Sequence, residues 1–313
     1  MANENYYHYD LIILGSGPAG CTATIYAAQA NLSLALIVGN EQGGQITKAS
    51  RIINWPGDPE EVSGVTLMER MLRQVVQLKG IVIHDFIEQA ELTRYPFILS
   101  GTEGTYGCKA LIIATGTSPR FLGLAKEQEY LGRGISTCAL CDGYFYRGKD
   151  VVVIGGGDSM AEDALYLSNI AATVTVVHRS NHLRANASAM EQLKKTKSVR
   201  FILSTVVEEF LTDAEGIRGV RIHHLDSGKT QELSAAGVFI AIGSTPNSQI
   251  FTGQLAMENG CIKTKHSYTS QTSIRGVFAA GDVVLHQQRQ AVIAAGSGCI
   301  AALDAKDFLA SLK

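Results

Sequence analysis

Residues 11–31 read LIILGSGPAGCTATIYAAQAN, and the reading of that stretch decides the fold. Four apolar residues run into Gly15, Ser16, Gly17, Pro18, Ala19 and Gly20, and a series of small residues follows. The pattern predicts a buried strand, a tight turn and a closely packed helix. Gly15, Gly17 and Gly20 fit GxGxxG, whose glycines permit the turn, the approach of a pyrophosphate to the backbone, and the packing of helix on strand. The start of that helix would face phosphates with unpaired N–H groups and a positive dipole end.

The same order returns at 151–179 as VVVIGGGDSMAEDALYLSNIAATVTVVHR. A single glycine fingerprint arises by chance in many strand-to-helix turns, but two in the right context point to two dinucleotide-binding units. Gly155 and Gly157 occupy the first two glycine positions, and Met160 stands where the third is expected. The stretches ALIIATGTSPR (110–120) and VFIAIGSTPNS (238–248) resemble each other. Each is an apolar run that breaks into turn residues, so they read as the two crossings of an insertion. The predicted architecture is α/β, with two Rossmann-like, three-layer domains, the second inserted into the first. Residues 1–116 and 247–313 form the outer domain, and 117–246 the insertion.

With 27 basic and 29 acidic residues the chain has a formal net charge of −2, which argues against nucleic acid or an anionic membrane as partner. No apolar run approaches a membrane span, and MANENYYHYD carries no secretory pattern. A cytoplasmic protein is expected. Of six cysteines, at 21, 108, 138, 141, 261 and 299, only Cys138 and Cys141 are closely spaced, in CALCDG (138–143). No second CxxC accompanies them, so no metal site is expected. In a cytoplasmic chain, CxxC reads as redox-active. Cys21 and Cys299 lie among small residues and read as core positions.

GSGPAG, GGQ (43–45), NWPG (54–57), ATG (114–116), CALCDG, GGGDSMAEDALYLS, HRSNHLRA, GVFAAGDV and RQAVIAAGSG together resemble the low-molecular-weight, FAD-containing thioredoxin reductases, and the resemblance covers nearly the whole chain. It implies FAD on the outer domain, near Gly15, Gly17, Gly20, Gln45, Asn54, Gly116, Asp282, Arg289, Gln290 and Ala291. It implies NADPH on the insertion, near Gly155, Gly157, His178, Arg179 and Arg184. It further implies that Cys141 meets the flavin, that Cys138 attacks the disulfide of thioredoxin, and that Asp142 manages the proton. Arg133, Tyr144 and Phe145 would grip the protein substrate, and the enzyme would be a homodimer. The nicotinamide and the disulfide would visit the flavin alternately, by a swivel near Thr117–Pro119 and Ser244–Pro246.

At the end of the strand VTVV, where an NAD site favours an acid, the chain offers His178 and Arg179, which favours NADPH. The family motif HRRxxxR reads HRSNHLR here, with Ser180 at its centre. Together with Met160, that leaves open a non-nucleotide donor such as ferredoxin, or a dithiol oxidase of the same fold.

Overall fold

The computed structural model describes residues 6–30, 32–214, 216–266, 268–285 and 288–312. By contact they fall into two compact units, one drawn from Met1–Thr47, Trp55–Ser118 and Thr245–Lys313, the other from Lys48–Asn54 and Pro119–Ser244.

The first unit opens with β1 (Tyr6–Leu14), whose last four residues are buried, as expected of a strand at the centre of a parallel sheet. Next come α1 (Pro18–Ala28), β2 (Leu34–Ile37), α2 (Gly64–Gln77) and β3 (Ile81–Ile83). In α2, Leu67, Met68, Met71, Leu72 and Val75 are buried on one face, and Ser63 caps the helix by accepting from the Thr66 amide at 3.1 Å. A hairpin, β4 (Ile87–Glu91) and β5 (Phe97–Gly101), leads to β6 (Thr105–Ile113). Along one edge β6 pairs in parallel with the whole of β1. On its other edge, Thr105–Cys108 pairs antiparallel with β5.

The crossings β7 (Thr117–Pro119) and, later, β16 pair as a two-stranded ribbon. Between them the second unit builds β8 (Ile135–Ser136), α3 (Ala139–Asp142), β9 (Asp150–Ile154), α4 (Asp158–Ser168), β10 (Thr173–Val177), α5 (Ala187–Lys195) and β11 (Val199–Ile202). An antiparallel sheet of β12 (Thr205–Thr212), β13 (Ile217–His224) and β14 (Thr230–Ser234) follows, then β15 (Gly237–Ile240) and β16 (Ser244–Pro246). The five-stranded sheet runs β11-β10-β9-β15-β8, with every pair parallel.

Back in the first unit, β17 (Met257–Glu258) and β18 (Cys261–Ile262) pair, and β19 (Val277–Ala279) joins the free half of β6 in parallel. The order β3-β2-β1-β6-β19 thus mirrors β11-β10-β9-β15-β8, and the expected pair of Rossmann-like sheets is present. Helix α6 (Ala291–Ala310) closes the first unit against α1. Small residues set that approach: a Cβ on Gly298 would lie 2.1 Å from the Ala19 carbonyl oxygen. Cys21 is fully buried in this core, and burial pushes its thiol up to about 12. Cys299, read from sequence as a core position, is only partly buried, because it borders the face of α6 that exposes Ile300 and Leu303.

Candidate active site

The first glycine turn is shaped by backbone crowding. Gly15 has φ +109°, and a Cβ on it would lie 2.3 Å from the Ala114 carbonyl oxygen; a Cβ on Gly20 would lie 1.7 Å from that of Gly15. Gly17, the N-cap of α1, differs: the nearest atom to its Cβ position is 3.9 Å away. Two glycines hold helix on strand, and the one between them faces open space at the helix start. This is the cradle that a pyrophosphate requires.

Around it, Ser16 donates to the Val38 carbonyl and accepts from the Gly43 amide, tying the turn to the loop that leads to Gln45. Gly116 follows β6 at φ +66° with nothing near its Cβ position. Its carbonyl accepts from the Asn247 amide at 3.0 Å, while the Asn247 side chain donates to the Thr115 carbonyl. Asp282 lies in the 3-10 turn Gly281–Val283; burial raises its carboxyl, and the Arg289 charge opposes the rise. Gln290 is the N-cap of α6 and Ala291 its first residue. All these positions belong to the first unit, but Asn54 groups with the second.

In the second turn, a Cβ on Gly155 would meet the Ala241 carbonyl oxygen at 2.3 Å, whereas Gly157, the N-cap of α4, has nothing within 4 Å. Met160 does not obstruct this turn. Its side chain is fully buried with Ala161, Ala164 and Leu167, so α4 uses the third position for core packing. His178 is 9% exposed, and its ring lies 2.2 Å from where a Gly156 Cβ would be. Burial, and then Arg184 and Arg179, lower its pKa. It is therefore a neutral wall of the site, and the positive charge comes from exposed Arg179 and Arg184. The Arg184 amide donates to the Gly156 carbonyl at 2.6 Å, which folds the arginine loop onto the glycine turn. Ser180 accepts from the His182 amide within that loop.

Cys138 and Cys141 form a disulfide with Cα atoms 5.3 Å apart. Cys138 caps the short helix α3, and its sulfur accepts from the Cys141 amide at 3.2 Å. Ser136 accepts from the Cys138 amide at 3.0 Å and hydrogen-bonds Asp142, whose carboxyl burial holds above its ordinary range. Asp163 of α4 accepts from the Ala139 amide at 3.3 Å. Beyond the dithiol, Tyr144 is 54% exposed and meets Phe145 edge-on. The guanidinium of Arg51 lies 4.1 Å from the centre of the Phe145 ring, and that of Arg147 5.7 Å from the centre of Tyr144. Arg133 is exposed on the turn before β8. Sequence reading missed Ser136, which bonds the Cys138 amide from two residues away, and Asp163 and Arg51, which reach the dithiol helix and its aromatic pair from distant parts of the chain.

Residues 9–298 match the family described as pyridine nucleotide-disulphide oxidoreductase. The chain belongs to that family, in its thioredoxin reductase branch. It is 51% identical over 312 residues to thioredoxin reductase of Coxiella burnetii, covering 97% of this chain and 98% of that one. To thioredoxin reductase of Escherichia coli O157:H7 it is 49% identical, covering 97% of each. A solved thioredoxin reductase from Giardia duodenalis superimposes with TM-score 0.93 at 38% identity, covering 97% of this chain and 99% of that one. Membership of this oxidoreductase family implies FAD and NADPH as cofactors, and the two open cradles at Gly17 and Gly157 fit the phosphates of two dinucleotides. Among the described residues no helix is long and apolar enough to cross a membrane.

Proposed function

We propose that the chain is an NADPH-dependent, FAD-containing thioredoxin-disulfide reductase. The observation that carries this reading is the Cys138–Cys141 disulfide, capped by a backbone amide and backed by a partly buried carboxyl, in a chain with two dinucleotide turns. Gly15, Gly17, Gly20, Gln45, Asn54, Gly116, Asp282, Arg289, Gln290 and Ala291 would hold FAD, and Gly155, Gly157, His178, Arg179 and Arg184 would hold NADPH. When bound, the flavin supplies two-electron transfer between nicotinamide and disulfide.

Reduction breaks the Cys138–Cys141 bond, and the two sulfurs take up the electron pair with two protons, one of them through Asp142. Raised by burial, Asp142 keeps its proton to higher pH than an ordinary carboxyl and serves as acid and then base. The Cys138 thiolate, steadied by the Cys141 amide, attacks one sulfur of the thioredoxin disulfide and releases the other as a thiolate. Cys141, its proton passed to Asp142, then attacks Cys138 and frees reduced thioredoxin, restoring the disulfide. Exposed Tyr144, with Phe145 and Arg133, would contact the protein substrate, since aromatics and arginine anchor transient interfaces. A homodimer fits the apolar stripe of Val292, Ile293, Ile300 and Leu303 exposed along α6.

Anaerobic stopped-flow tests the reading. NADPH is expected to bleach the flavin rapidly, NADH slowly, and oxidised thioredoxin to restore the colour. If dithionite bleaches the flavin and neither nucleotide does, the donor is wrong; if thioredoxin leaves the reduced enzyme unchanged, the acceptor is wrong.

A further inference from the structure

Two carboxyls flank the short dithiol helix. Asp142, within it, belongs to the mechanism above. Asp163, on α4, does not. Its carboxylate accepts the N–H of Ala139, the residue next to Cys138, at 3.3 Å, and it does so beside the apolar packing of Ala139, Ala161, Ala164 and Leu167. Of the amides in this turn, that of Cys141 serves the Cys138 sulfur and that of Ala139 serves Asp163. A titratable carboxyl is thus held on the backbone of the residue that follows Cys138.

We propose that Asp163 is a positioning residue for Cys138: it holds the first turn of the dithiol helix through the Ala139 amide, and its negative charge moderates ionisation of the reduced Cys138 thiol. The proposal rests on the reading of Cys138 as the attacking thiol. Burial pushes the Asp163 carboxyl up to about 7, with Glu162 adding to the rise and the Ala139 amide opposing it, so its charge changes across the neutral range. From α3 the facing titratable group is Asp142, and Tyr146 and Tyr166 lie where the dithiol segment packs on α4. Helix α5 offers Glu191, Lys194 and Lys195, of which Glu191 and Lys195 pair with each other. Strand β9 offers Asp150 at its N-terminal end, bonded to Thr173. Like charge disfavours a thiolate. Above neutral pH, therefore, Asp163 raises the midpoint at which Cys138 ionises, and below it the effect fades.

Substitution by asparagine separates the two roles, because an amide oxygen still accepts the Ala139 N–H and carries no charge. The pH dependence of iodoacetamide alkylation of Cys138 is followed by peptide mass spectrometry in FAD-loaded, reduced enzyme carrying Cys141→Ser. Asp163→Asn is expected to lower the alkylation midpoint by about one pH unit, and Asp163→Glu to restore it toward that of the parent. Superimposable profiles for parent and Asp163→Asn would overturn the proposal, as would a midpoint that rises. The readout uses neither nucleotide nor thioredoxin. A lowered midpoint in a protein whose unsubstituted form does not turn over thioredoxin would sink the proposed function and leave the charge effect standing.

Discussion

The backbone amide of Cys141 points at the sulfur of Cys138, 3.2 Å away. The N-cap position of Cys138 gives its sulfur a donor that remains after the disulfide opens, and hydrogen bonding to a thiolate favours the charged form. In reduced enzyme, Cys138 is therefore expected to take up iodoacetamide before Cys141, as read by mass spectrometry of the tryptic peptide. Cys138→Ser is expected to lower thioredoxin turnover by about a thousandfold or more while NADPH still bleaches the flavin. Preferential labelling of Cys141 would reverse the assignment.

The glycine turns give a contrast between two substitutions of the same kind. Gly20→Ala places a methyl group 1.7 Å from the Gly15 carbonyl oxygen, whereas Gly157→Ala meets nothing within 4 Å. Gly20→Ala is expected to destabilise by about 1–3 kcal/mol and to yield protein depleted of flavin. Gly157→Ala should keep its melting temperature and flavin content but bind NADPH more weakly. Calorimetry, flavin absorbance and a nucleotide titration read all three quantities.

Much of this was legible in the chain because glycine turns and small-residue helices are local. Gly15, Gly17 and Gly20 declare strand, turn and helix within a few residues, and the spacing of two such units suffices to predict two sheets. What was not legible depends on distance along the chain. Asp163 meets Ala139 across 24 residues, and nothing in AEDALYLS distinguishes it from an ordinary surface acid. Arg51 covers Phe145 because the segment Lys48–Asn54 packs with the second unit, which the crossings alone did not reveal. Met160 departs from the fingerprint, but the departure ends in the core of α4, a packing solution invisible to a motif.

In the nucleotide loop, His178 is held neutral by burial against Gly156, so under the proposed function recognition of a 2′-phosphate would fall to Arg179 and Arg184. Loss of a charge-assisted hydrogen bond costs about 1.5–3 kcal/mol. Arg179→Ala and Arg184→Ala are each expected to raise KM for NADPH by roughly ten- to a hundredfold with little effect on NADH, and Ser180→Arg to lower KM for NADPH. Steady-state kinetics with both nucleotides checks this; equal effects on both would assign the arginines to a part of the nucleotide that the two share.

The raised carboxyl of Asp163 also has a consequence for stability. Its ordinary value is 3.8 and burial takes it to about 7, so the folded state binds its proton more tightly than the unfolded chain does. The resulting stabilisation is fully present below the ordinary value and is lost as pH rises through the folded one. Between pH 5 and 8 the melting temperature of the unsubstituted protein should therefore fall more than that of Asp163→Asn, by roughly 4 °C, because asparagine has no proton to lose. The difference should be smallest at pH 5, where Asp163 is itself neutral, and scanning calorimetry across that range measures it. Parallel curves would mean that the folded carboxyl titrates in its ordinary range, and that its charge is already present throughout the neutral region.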